Sequence, residues 1–270
     1  MNWKTYLATI QKKSYLFIGV LVFLLFILLA GGTWSYLQHR GSVKDAERIA
    51  AEQARARKIN EINAYYLGIL AGAPLDKVVS IMLDINKGRM PLSLSGFNLE
   101  NYKCDLVNCI FSFTNSGPSV FNVQELKVFG GQYKANISEK TLEYSVDTSP
   151  LKNEVLTNKF NAREKISVPG CSELVNYIHS FNSLIQEAKG KFMISGYPSS
   201  SISSVEGMLP EVKDQYGFLH MQWNVVLPDN LLEFTSFLSR QAYKESFVVN
   251  KIEKKKPYEI EVTGNLLCAN

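Results

Sequence analysis

Histidine is scarce in this chain: His39, His179 and His220 are the only three in 270 residues. No HExxH metal motif is present, nor a GxSxG nucleophile turn, a P-loop or a GxGxxG dinucleotide signature. Serines gather near Pro198, but no histidine and acid are placed by a recognisable motif to activate one. Catalysis, a cofactor and a metal site are therefore not expected. The net charge is only +4, and some of it lies beside an apolar run. That is not the concentrated basic face nucleic-acid binding needs, so a nucleic-acid partner is not expected either. Lys254-Lys255-Lys256 reads as a solvated hairpin tip, with an acidic partner as the rival reading.

Charge is also missing from one long stretch. Ser14 to Gln38 contains no Asp, Glu, Lys or Arg. A helix needs roughly 20 apolar residues to cross a bilayer core of about 30 Å, and this stretch is long enough. Its centre carries Leu16, Phe17, Ile18, Leu21, Phe23, Leu24, Phe26 and Leu28, which we read as the membrane anchor. Tyr15 at one end, with Trp34 and Tyr36 at the other, match an interfacial aromatic belt. A cleaved signal peptide is the rival reading, but its apolar core would span only about 7–15 residues. Basic residues flank both ends, Lys4, Lys12 and Lys13 before and Arg40, Lys44, Arg48 and Arg55 after. Charge alone therefore does not orient the span.

Cysteine bears on orientation. The four cysteines are Cys104, Cys109, Cys171 and Cys268. An even count behind a membrane span fits disulfides in an oxidising compartment. Structural zinc is the rival, yet it wants paired short spacings such as CxxC with further ligands near. Of the three connectivities open to four cysteines, we favour Cys104–Cys109 with Cys171–Cys268. A tight hairpin closes the first spacing.

The rest of the chain divides by pattern. Residues 1–13 read as a cytoplasmic stub with Trp3, Tyr6, Leu7 and Ile10 at helical spacing, residues 14–38 as the span and 39–71 as a stalk helix. The stalk is rich in Ala, Glu, Arg and Gln, strong helix formers. Ile59, Ile62, Tyr66 and Ile69 keep an a/d-like rhythm and are candidates for partner contact in a short coiled coil. The alternative is a single helix packed on its own domain. Gly72-Ala73-Pro74 breaks it. Residues 72–150 then read as a first α+β module: a helix over Leu75–Asn86 ended by Lys87-Gly88, alternation over Pro91–Leu99, a strand at Ile110–Phe113, a short helical turn near Val120–Glu125 and further strands to Val146. Residues 151–170 are polar and weakly patterned, a linker.

Residues 171–270 form the clearest module. Leu174, Ile178, Phe181 and Ile185 recur at helical spacing. Strands follow at Lys191–Tyr197 and Phe218–Leu227, separated by a Ser-rich loop over Pro198–Tyr216. On the second strand His220 faces away from Trp223. Asn230, three residues before Glu233, caps a helix whose stripe is Leu231, Phe234, Leu238 and Ala242. Strands at Phe247–Ile252 and Tyr258–Leu267 finish the chain. The order α-β-β-α-β-β predicts two helices on one face of a four-stranded antiparallel sheet, a circular relative of the ferredoxin-like arrangement. Residues 72–150 read as a looser copy. The predicted class is therefore α+β, with a transmembrane helix, a stalk helix and two ferredoxin-like modules.

This plan resembles the inner-membrane alignment proteins of type IV pili and type II secretion, the PilO and GspM class. The stretch GFNLENYKCDLVNCIFSF, with Phe97, Cys104, Cys109 and Phe113, is similar to a segment of type IVb pilus accessory proteins. The likeness covers most of the chain and rests on order and topology. It implies a structural scaffold in a bacterial inner membrane, single-pass, with its C-terminal domains in the periplasm. It also implies partners among other bitopic pilus or secretion proteins, in homo- or heterodimers. Many type IVb relatives carry a large cytoplasmic domain that this chain lacks. The alternatives are a membrane-anchored periplasmic receptor or sensor for a small ligand, and a cell-division-type scaffold.

Overall fold

The computed structural model describes residues 3–115, 125–164, 166–187, 189–196 and 218–269, and omits the side chains of 3–22, Leu24, Ala30 and Phe218. The expected turn near Val120–Glu125 (up to residue 124) and the Ser-rich loop over Pro198–Tyr216 lie outside the described residues. The chain divides into two units, Met1–Asn60 and Glu61–Asn270.

The first unit holds most of helix α1, Trp3–Leu70. Helix runs unbroken through the uncharged stretch 14–38, whose glycines at 19, 31 and 32 cost a helix roughly 1 kcal/mol each. Among the described residues no helix is long and apolar enough to cross a membrane. Leu16, Phe17, Ile18, Leu21 and Leu24 fall among the side chains not described. For the predicted anchor the structure shows the helix itself, Trp3–Leu70. Phe23, Phe26, Leu28, Trp34 and Tyr36 are all exposed on it.

The second unit is built on one antiparallel sheet. Its strands are β1 (Ala73–Pro74), β2 (Phe97–Cys104), β3 (Cys109–Asn115), β6 (Asn136–Ser138), β7 (Thr141–Val146), β8 (Met193–Ser195), β9 (Phe218–Pro228), β10 (Phe247–Lys256) and β11 (Glu259–Ala269). Across the sheet the order is β6-β7-β3-β2-β10-β11-β9-β8, with β1 on the upper part of β10. A small hairpin, β4 (Leu126–Val128) with β5 (Gly131–Tyr133), stands apart. The helices are α2 (Leu75–Leu94), α3 (Val155–Asn161), α4 (Cys171–Ser183) and α5 (Leu231–Ser239).

The sheet order repeats. The first half reads β6-β7-β3-β2 and the second β10-β11-β9-β8. In each, the later hairpin lies beside the earlier one, joined through its last strand. The halves meet where β2 pairs with β10 through Cys104↔Ile252, Lys103↔Glu253 and Tyr102↔Lys254. The coarse prediction of an α+β chain with a long N-terminal helix stands. Two separate modules do not: their strands share a single sheet. The stretch 151–170 carries α3 and buries Leu151, Leu156 and Ile166, so it is packed rather than an open linker.

Alternation explains which face is covered. On β9, Met221, Trp223, Val225 and Leu227 are buried while Gln222 is exposed. On β2, Phe97, Leu99, Tyr102 and Cys104 are buried. The period of two slips once there, because the register shifts between Leu99 and Asn101, a bulge that resets the faces. These residues join Val78, Ile81, Met82 and Ile85 of α2, Leu174 and Ile178 of α4, and Phe234 and Leu238 of α5 in one core. Each such side chain contributes roughly 1.5–3 kcal/mol on full burial. The opposite face is covered over part of its area by the end of α1 and by α3. Ile62, Tyr66, Ile69, Leu156, Val248 and Leu267 are buried there, outside the main core.

One detail differs from the sequence reading for a physical reason. Helix α2 does not stop at Lys87-Gly88; it continues to Leu94 with Pro91 inside. A Cβ on Gly88 would run into Val128 Cγ1, so this glycine is there for the close approach of β4. Likewise a Cβ on Gly264 would strike the carbonyl oxygen of Val248, which is why β11 has no side chain opposite Val249. The cap on α5 is as read: Asn230 Oδ1 accepts from Leu232 N at 3.0 Å, and Asn230 Nδ2 donates to Glu233 Oε1 at 3.0 Å.

Candidate functional site

The cysteines form two disulfides, Cys104–Cys109 and Cys171–Cys268, and no free cysteine remains. The first closes the β2–β3 hairpin, where Cys104 and Cys109 are directly opposite. Its tip is held by Asp105, whose Oδ1 accepts from Val107 N at 2.8 Å and Asn108 N at 3.2 Å. Partial burial alone would raise the Asp105 pKa. Those two N–H groups and the Lys103 ammonium outweigh it and hold the carboxyl below its ordinary value. Val107 stands exposed on this strapped tip. The second disulfide ties the first residue of α4 to β11.

The partner-contact candidates on α1 are placed differently from the expectation. Ile62, Tyr66 and Ile69 are buried within the second unit, and Ile59 is half-buried. The Tyr66 ring stacks on Phe160 of α3 at 5.7 Å, and Asn265 Nδ2 of β11 donates to the Ile69 carbonyl at 3.1 Å. The a/d rhythm is satisfied by the chain's own sheet, which leaves those three side chains unavailable to a coiled-coil partner. This is the packed-helix alternative.

Sequence spacing gave no hint of the charged cluster at the meeting of the halves. Lys254 Nζ, nearly fully buried, donates to Asp229 Oδ2 at 2.7 Å and to the Leu99 carbonyl at 3.1 Å. Arg89 Nη1 of α2 lies 3.8 Å from the same carboxylate, and Arg89 Nε donates to Asn86 Oδ1 at 2.9 Å. Beneath them Tyr102 donates to Met82 Sδ at 3.5 Å. Burial, then the negative charge of Asp229, push its phenol pKa far above the ordinary value. The cleft here measures about 10 Å³, room for a single water. Lys254 is thus no part of a solvated tip. Lys255 pairs with Glu253 at 3.0 Å, while Lys256 is exposed.

The open face of the second half is polar. Burial disfavours the charged form of Glu253, but hydrogen bonds from Lys251 and Lys255 outweigh it and lower its pKa. His220 faces this side and shares a 2.7 Å hydrogen bond between its Nδ1 and the Tyr65 hydroxyl. Burial lowers the His220 pKa. His39 and His179 are exposed. Among the described residues no group of three His, Cys, Asp or Glu side chains is placed to hold a metal ion. At the meeting of the halves Lys254, Asp229 and Arg89 pair with one another, which binds elements of the chain together.

The sheet ends in β6 on one side and β8 on the other. Strand β6 pairs with β7 on one side, and among the described residues no strand lies on its other side. Asn136, Ile137 and Ser138 are all exposed, Ile137 at 59%. Compared with protein-family models, with curated proteins and with solved structures, the chain matches none.

Proposed function

We propose that this chain is a membrane-tethered structural scaffold of the type IV pilus or type II secretion kind, acting through protein contacts outside the cytosol. The anchor is the uncharged stretch 14–38, long enough for a bilayer core. Each half of the sheet is a permuted ferredoxin-like module. The shared order β6-β7-β3-β2 and β10-β11-β9-β8 supports that reading, since it is the order a ferredoxin-like sheet takes when its first strand is moved to the end. Other bitopic proteins of the same machine are the expected partners.

The observation that carries the reading is the pairing of all four cysteines. Structural disulfides persist in oxidising compartments and are rare in the cytosol. The exposed sheet edge at β6 suits strand addition by a partner. A small-ligand receptor would need a concave pocket of several hundred Å³; the cleft between the halves holds about 10 Å³, and the hollow of about 290 Å³ between α2 and the β4–β5 hairpin lies open on the surface.

Reporter fusions at the C-terminus test the topology, and co-purification from detergent tests the scaffold. The expected results are extracytoplasmic reporter activity and a stable complex with other single-span membrane proteins. Four free, inward-facing thiols in intact cells would overturn the placement. Normal fibres and normal secretion in a deletion strain would overturn the scaffold.

A further inference from the structure

We propose that the free edge of β6 receives β8 from a second copy of this chain, repeating between molecules the β2–β10 joint found within one. This deepens the scaffold reading by naming a partner and the strand it uses.

The argument starts from the repeated order. In the second half, β10 is the outer strand of the later hairpin, and it accepts β2, the outer strand of the earlier hairpin in the first half. In the first half the strand in the position of β10 is β6, and in the second half the strand in the position of β2 is β8. Among the described residues β6 pairs only with β7 and β8 only with β9. The molecule therefore ends in one acceptor edge and one donor edge of the same two kinds that join its halves.

Size and chemistry agree. The inner joint uses three residue pairs. Strands β6 and β8 are each three residues long. Short edge strands discourage casual pairing, but β6 carries none of the usual further protection: Asn136-Ile137-Ser138 has no charge and no proline. Ile137 pairs with the buried Leu142 on the helix side of the sheet, yet stays exposed. In the second half the corresponding strand has its helix-side residues Val249 and Ile252 fully buried, with α2 of the first half against β10. A neighbouring copy would cover Ile137 in the same way. The contact is head-to-tail, so it extends into a row rather than closing into a pair.

Full-length chains in detergent test this by pairwise cysteine cross-linking. Variants with one new cysteine at 136, 137 or 138 are mixed with variants carrying one at 193, 194 or 195, then oxidised. The four native cysteines are already paired. The expected result is a cross-linked dimer only when a β6 variant meets a β8 variant, in a register set by one preferred pair. Ile137→Lys, at an exposed position, should leave folding intact and weaken the association about ten-fold, as a charge at a strand edge does. Dimers formed by β6 variants alone would overturn the proposal in favour of a two-fold contact. No cross-link in any combination would overturn it outright; continued co-purification with other membrane proteins would then leave the scaffold reading standing.

Discussion

The two halves of the sheet follow one strand order and are held together by different means. In the second half, strands β9, β10 and β11 run 11, 10 and 11 residues, and two helices cover them. Between them lies an aromatic cluster in which the Phe192 ring sits 5.0 Å from Phe247, 5.3 Å from Phe237 and 5.5 Å from Trp223. In the first half, β6 and β7 have three and six residues, and α2 is the one long helix among the described residues. Its disulfide closes a single hairpin, whereas the disulfide of the second half joins residues 97 apart. One half is therefore stapled across its length and the other only at a hairpin tip. Both halves end in a three-residue edge strand, β6 in the first and β8 in the second.

The largest effect should come from the long staple. In the chain-entropy account, a loop of about 100 residues is worth about 4.7 kcal/mol. Replacing Cys171 and Cys268 together by serine should lower stability by most of that, read as a fall in the urea midpoint with a slope that rises as the denatured chain, no longer cross-linked, exposes more surface. An unfolding transition that stays put would mean that α4 and β11 are held without it.

Breaking the joint comes next. Lys254→Met leaves the partly exposed Asp229 beside only the more distant Arg89; unpairing a fully buried charge typically costs 3–5 kcal/mol, so about 3 kcal/mol is expected here. The double variant Lys254→Met with Asp229→Leu should recover much of the loss. Equal losses in the single and double variants would show that the two groups do not act as a pair.

The short staple should matter less. For its separation of 5 residues, the same entropy relation gives about 2 kcal/mol. Cys104 and Cys109 to serine should thus cost under half as much as the long pair. A cost equal to that of the long pair would erase the contrast between the halves. Smaller again is the α5 cap, where Asn230→Ala should remove about 1 kcal/mol, a loss that a urea midpoint resolves.

How much of this was readable in advance follows the same contrast. The second half was legible because its signals are local. Leu174 and Ile178 repeat at helical spacing, β9 alternates cleanly, and Asn230 with Glu233 caps α5. The first half was less so, since Gly88 and Pro91 look like helix stops. Burial of Leu92 and the approach of Val128 override that local preference. The joint left no local trace at all. Tyr102 and Lys254 pair across 152 positions, and nothing near either residue marks the other. Lys254 therefore looked like its neighbours in a basic run. The rhythm of Ile62, Tyr66 and Ile69 was real, but periodicity names a buried face without naming what buries it.

The smallest effect concerns the outer face, where the halves also differ. On the second half His220 is bonded to Tyr65 at the end of α1. On the first half the outward residues Thr141, Glu143 and Ser145 of β7 are exposed. Burial holds the His220 pKa below its ordinary value of 6.5. The folded state therefore binds fewer protons than the unfolded state just below that pH, so stability must fall as pH drops through 6.5 and level off below the folded pKa. The contribution of His220 is read as a difference between proteins. Urea midpoints of the wild type and of His220→Gln, taken between pH 7.5 and 5.5, should converge as the pH falls, because the variant has no imidazole to charge. Parallel curves over that window would mean that protonating His220 costs the fold nothing and that its bond to Tyr65 survives the charge.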